Sequence, residues 1–205
     1  YAGKYVPSIT HKIIEENKAG KNQAINIKGM GIGDGWTDPY IQIQHYGKYA
    51  YANGLVDALS QDKIFQMQMQ AVKYLNESKW LEAAGQMDEI LSVIEQQSGG
   101  VNIYDILSYT PYSFLTNDGP LGKYLAQPSV KKLMHVGTHD WNACQSAAYH
   151  GLAIDFMQSV KYKFPYILEN VRVLLYNGQF DQIVATPAAE HWISSIDWPG
   201  RGGYL

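Results

Sequence analysis

The chain has 205 residues, 46% of them hydrophobic and 17% charged. That length suits one large domain or two small ones, and that balance supports a buried core and excludes a disordered chain. A formal net charge of −3 leaves no basic stripe to neutralise phosphates, which argues against nucleic-acid binding, and no run approaches the roughly 20 apolar residues of a membrane span.

Tyr1 to Gly3 reads as a turn. Pro7-Ser8 opens a helix through about Lys18, with Ile9, Ile13 and Ile14 on one face, and Ala19-Gly20-Lys21-Asn22 stops it. Residues 24–32 alternate apolar with small or polar residues and predict a strand, which Gly33-Asp34-Gly35 breaks. Tyr40 to Ala52 is aromatic-rich and helical in pattern. From Gly54 to about Gly100 the pattern stays helical, with Ser60 as the cap of one helix and Ser78 as the cap of the next. Asn102 to Pro128 has weak periodicity and reads as loop. A short helix is expected over residues 128–136 and a longer one over 147–158. Val171 to Tyr176 is the strongest strand, apolar enough to be buried on both faces, and Asn177-Gly178 ends it. Thr186-Pro187 opens a final helix through about Ile193. Two α-and-β flanks around an all-α middle predict an α/β layer domain with a helical insertion.

In parallel α/β sheets, functional residues collect in loops after the carboxyl ends of strands. Two such loops stand out: Gly33-Asp34-Gly35-Trp36, and Asn177-Gly178-Gln179-Phe180-Asp181. Composition alone reads Asp181 as a turn or cap residue, though it is also a candidate for an acid that orients a histidine. None of the six histidines forms an HExxH motif, and no metal site or cofactor is expected. The spacing in Gly29-Met30-Gly31-Ile32-Gly33 does not fit a dinucleotide fingerprint. Cys144 stands alone, and no cysteine-protease signature surrounds it. Asn76-Glu77-Ser78 fits the N-glycosylation sequon.

Several segments together resemble the serine carboxypeptidases. Tyr1-Ala2-Gly3-Lys4-Tyr5-Val6-Pro7 resembles the residues that directly follow the nucleophilic serine in the family's Gly-Glu-Ser-Tyr-Ala-Gly signature. Lys28 to Pro39 resembles a second family block, and Tyr49-Ala50-Tyr51 with Gly54-Leu55-Val56 resembles the approach to the family's helical insertion. Leu174 to Asp181 resembles the block that carries the triad acid. Asn177-Gly178-Gln179 and Ile183-Val184-Ala185 are most similar to the vitellogenic-like branch.

The resemblance implies an α/β-hydrolase fold, here partial, with core segments at residues 1–53 and 126–205 around an insertion at residues 54–125. It implies removal of C-terminal residues from peptides and proteins by acyl-enzyme chemistry, in which a serine attacks, a histidine relays the proton and an aspartate holds the histidine. By resemblance Asp181 is the triad aspartate, and the backbone N–H of Tyr1 is half of the oxyanion hole. The serine is then expected just before Tyr1 and the histidine beyond this chain, because His191, ten positions after Asp181, is too close. This piece alone is therefore expected to be inactive. The resemblance makes Cys144 one half of a disulfide whose partner lies upstream of the serine. It places the protein in the secretory route, lysosomal, vacuolar or secreted, with Asn76 usable for glycosylation, and it allows a homodimer. Two rival readings stay open: a shortened non-catalytic homologue acting as a binding module, and another α/β-hydrolase such as an esterase.

Overall fold

The computed structural model describes residues 1–109, 119–143 and 145–204. Helix α1 runs Ala2–Ala19 and ends on Gly20 in the left-handed conformation. It starts well before Pro7, so the expected turn at residues 1–3 is its first turn instead. Pro7 has no N–H to give the Gly3 carbonyl, and the Thr37 hydroxyl donates to that carbonyl instead, at 3.4 Å.

Strand β1 (Gly29–Gly33) and strand β2 (Arg172–Tyr176) pair in parallel, with Gly29 opposite Arg172 and Gly33 opposite Tyr176. β1 is shorter than the expected strand over residues 24–32, because only the stretch opposite β2 has a ladder partner. Met30, Ile32, Val173 and Leu175 pack with Phe164, Trp192 and Ile196 on one face. Within the described residues β2 is not buried on both faces as expected: its burial alternates, and Leu174 and Tyr176 stand 62% and 60% exposed. Helices cover one face of this pair, which is the single-sided arrangement that produces alternation.

Short helix α2 (Pro39–Gln42) leads through a 3₁₀ turn at Ile43–His45 into α3 (Tyr46–Ala52). Helices α4 (Ala58–Asn76) and α5 (Trp80–Gln97) then fold back on one another. Asp57, not Ser60, caps α4: its carboxylate accepts the Ser60 N–H at 2.7 Å, which places Ser60 inside the first turn. Ser78 is likewise not a cap but a residue of the tight turn between the helices, at φ 56°, and α5 starts at Trp80. Ile64, Leu75, Ile90 and Ile94 are fully buried between α4 and α5, each worth about 1.5–3 kcal/mol of transfer free energy. Trp36, Ile43, Tyr46, Met157 and Val184 join that core, so the helical pair is anchored to the loops after both strands.

Helices α6 (Pro120–Leu125), α7 (Pro128–Leu133) and α8 (Ser146–Phe156) follow. A 3₁₀ turn at Lys161–Lys163 leads into α9 (Phe164–Leu168), then β2, α10 (Thr186–Ser194) and α11 (Arg201–Tyr204). The order β1, helices, β2, α10 gives an α/β layer interrupted by helices.

Candidate active site

Parallel pairing sends the loops after β1 and β2 out of one edge of the sheet. Asp34 leaves β1 directly after Gly33, and its N–H donates to the Tyr176 carbonyl at 3.0 Å. At Gly33 the Tyr176 ring lies over the backbone: a Cβ there would come within 2.4 Å of it and push the ring aside. The loop 177–184 is then tied down from several sides. Gly178 N–H donates to Asp34 Oδ1 at 2.7 Å, Tyr49 hydroxyl to the Gln179 carbonyl at 2.6 Å, and Asn177 Nδ2 to the Val184 carbonyl at 2.8 Å. Backbone bonds join Ile106 N–H to the Phe180 carbonyl and Gln182 N–H to the Ile103 carbonyl, both at 3.0 Å.

Asp181 lies inside this frame, only 6% exposed. Its Oδ1 accepts the N–H groups of Ile183 at 2.7 Å and Val184 at 2.9 Å. The turn role that composition assigned to it is therefore real, and it coexists with a buried position suited to an acid. Burial above all, and then the Asp34 carboxyl, push the Asp181 carboxyl up to about 6, against the pull of the two N–H groups.

Trp36 and Gln42 hold the other side of the edge. Gln42 is fully buried; its Oε1 accepts the Thr37 and Asp38 N–H groups at 2.8 Å each, and its Nε2 donates to the Gly35 carbonyl at 3.0 Å. Trp36 stacks on Phe156 and Tyr46, with centroids 5.4 and 6.4 Å away, and its indole N–H donates to the Phe156 carbonyl at 2.9 Å. Buried Asp38 pairs with Lys161 at 2.7 Å. Gly3 permits α1 to lie against this loop, since a Cβ there would sit 2.6 Å from the Trp36 backbone.

Tyr1 is the N-cap residue of α1, with its hydroxyl bonded to Asp155 and its ring 4.6 Å from that of Tyr5. Beside it lies an apolar hollow of about 390 Å³, lined among others by Tyr5, Ala84, Tyr149, Leu152 and Phe156. Asn76 is exposed as the last residue of α4, next to the turn that holds Ser78. Cys144 lies outside the described residues. His191 is on α10, its Nδ1 2.9 Å from His45 Nε2; burial and the neighbouring His191 hold His45 below the usual imidazole range. Among the described residues no three His, Cys, Asp or Glu side chains gather as a metal site, and no helix is long and apolar enough to cross a membrane.

Sequence reasoning singled out both loops and Asp181. It missed the bond between the loops, Asp34 to Gly178, although Asp34 lay in one of the two loops it marked. It missed Gln42, for which a glutamine in a short helix gives no signal.

A family model described as serine carboxypeptidase matches residues 1–204. The probable serine carboxypeptidase CPVL of Dictyostelium discoideum is 34% identical over 209 residues, covering 100% of this chain and 41% of its own length. The venom serine carboxypeptidase of Apis mellifera is 34% identical over 212 residues, with 100% and 44% coverage, and the human probable serine carboxypeptidase CPVL is 35% identical over 212, again with 100% and 44%. The crystal structure of Kex1(Δ)p, a prohormone-processing carboxypeptidase from Saccharomyces cerevisiae, superposes with a TM-score of 0.77 at 22% identity, covering 98% of this chain and 47% of that one. That likeness identifies the fold as a partial α/β-hydrolase fold. The chain spans less than half the length of these relatives, and over that span it belongs to the serine carboxypeptidase family.

Proposed function

We propose that the protein carrying this chain removes C-terminal residues from peptides and proteins by serine acyl-enzyme chemistry, and that the chain supplies the acid of its triad, Asp181. The observation that carries this is the buried Asp181 carboxylate, held by two backbone N–H groups through one oxygen, in the loop that follows a parallel strand. With Oδ1 engaged by the backbone, Oδ2 is the oxygen we assign to a histidine Nδ1–H. An aspartate there fixes the imidazole tautomer and stabilises the imidazolium formed when the serine gives up its proton. The imidazolium would in turn draw the Asp181 carboxyl down from about 6, so that the pair works ionised.

The Tyr1 backbone N–H is the proposed oxyanion donor. It stands at the N-cap of the 18-residue α1, where the helix dipole favours a developing negative charge. We assign the serine and histidine to parts of the protein beyond these residues. We also assign residues 1–53 and 126–205 to the hydrolase core and 54–125 to the helical insertion. Asn76 is proposed as a glycosylation site and Cys144 as half of a disulfide, both in keeping with a secretory, lysosomal or vacuolar protein.

The test uses the full-length protein and an N-blocked dipeptide with a free carboxylate. The expected result is release of the C-terminal residue, labelling by a fluorophosphonate, and a fall in kcat on the order of 10⁴ in Asp181→Asn. An unchanged kcat in that variant, or covalent labelling of the isolated 205-residue chain, overturns the assignment.

A further inference from the structure

Asp181 is not alone at its turn. Asp34 has a φ of 46°, a left-handed conformation that aspartate tolerates better than most residues. From there its carboxylate takes the N–H of Gly178 at 2.7 Å, while the carbonyl of the same Gly178 accepts the N–H of Asp181 at 3.4 Å. One residue is thus held by Asp34 through its N–H and begins the Asp181 turn through its carbonyl. A Cβ built on Gly178 would lie 3.7 Å from Asp34 Oδ1 and 3.8 Å from Asp181 Cβ, so both acids flank that single residue.

We propose that Asp34 is a positioning residue for Asp181: through Gly178 it fixes the turn that presents the triad acid, and as a second carboxyl at that turn it sets the charge beside it. The inference rests on the reading of Asp181 as the triad acid. Asp34 is exposed and Asp181 buried, so the two differ in solvation, and the buried one holds a proton more readily chiefly because of its burial and in smaller part because a like charge stands near. The other titratable groups around the turn are two phenols, a histidine pair and two side chains in solvent. Tyr46 and Tyr49 face Asp181 from α3, and burial raises both phenols. His45 is engaged with His191. Tyr104 and Asp105, on the segment bonded to residues 180 and 182, are exposed.

Removing the Asp34 charge lowers the proton affinity of every base in the triad, so the acid limb of kcat/KM must move to lower pH. In full-length Asp34→Asn, whose amide oxygen still accepts from Gly178, the expected shift is about half a pH unit, modest because Asp34 is solvated. Asp34→Ala should show the same shift and, having lost the Gly178 bond, a kcat lower than that of Asp34→Asn by on the order of tenfold. A carboxyl ¹³C titration of Asp181 reads the same interaction without catalysis, and its midpoint should fall in Asp34→Asn. An unmoved midpoint and acid limb in that variant overturn the proposal while leaving Asp181 as the triad acid. Hydrolysis at the wild-type rate by Asp181→Asn removes the triad reading and this proposal with it.

Discussion

Replacing Asp181 by Asn should make the 205-residue chain, studied without the assigned histidine partner, more stable near neutral pH. In the fold the Asp181 carboxyl is raised from 3.8 to about 6, chiefly by burial. The folded state therefore binds this proton more tightly than the unfolded chain. The stabilisation it confers is fully present below pH 3.8 and is lost as the pH rises through about 6. A difference of about two units corresponds to about 3 kcal/mol, to order of magnitude. The amide of Asn is neutral at every pH, and its oxygen can still accept the N–H groups of Ile183 and Val184. Urea unfolding of wild type and Asp181→Asn across the range from about pH 4 to pH 7 is the assay. The two should be nearly equal at the acid end, and the variant should lead by about 3 kcal/mol at the neutral end with an unchanged m-value. A variant no more stable than wild type near pH 7 would refute the claim that an ionised, buried Asp181 is a cost carried for function.

Gln42→Met keeps the side-chain volume but leaves the Thr37 and Asp38 N–H groups and the Gly35 carbonyl without their partner in a buried loop. At about 1–3 kcal/mol per stranded group the loss should be about 4 kcal/mol in urea unfolding, and a loss under about 1 kcal/mol would show that this residue is no staple. Lys4 is 2% exposed, and burial lowers its amine from 10.5 to about 8, with Asp155 and Asp38 pulling it back up. The unfolded chain thus takes up the proton first as the pH falls from 10.5, and the fold loses about 3 kcal/mol by pH 8. Lys4→Met should remove that slope from the stability–pH curve, and a slope equal to wild type would contradict it.

The sequence carried the two loops and the acid because their signals are local. A strand of alternating or apolar residues ended by Gly-Asp-Gly or Asn-Gly can be read in a window of about ten residues. The errors arose where the deciding partner is remote. Val173, Leu174 and Leu175 in a row reveal hydrophobicity but not which faces of β2 the described residues cover. α1 was expected to begin at Pro7, yet the helix continues through it because Thr37, far along the chain, accommodates the Gly3 carbonyl. Ser60 and Ser78 were read as caps on residue type alone, whereas Asp57 had the stronger acceptor three residues before Ser60. The Asp34–Gly178 bond joins residues 144 positions apart and is invisible to any local window.

That same separation has a kinetic meaning. Helices α4 and α5 are neighbours in sequence and pack on each other, so their contacts close short loops. Pairing β1 with β2 instead closes a loop that contains the helical pair, and long-range parallel pairing has a high entropic cost that is repaid only when the ladder forms. The helical hairpin should therefore assemble early. The edge that holds Asp34 and Asp181 should be among the last parts to set, and the first to open when the protein is stressed.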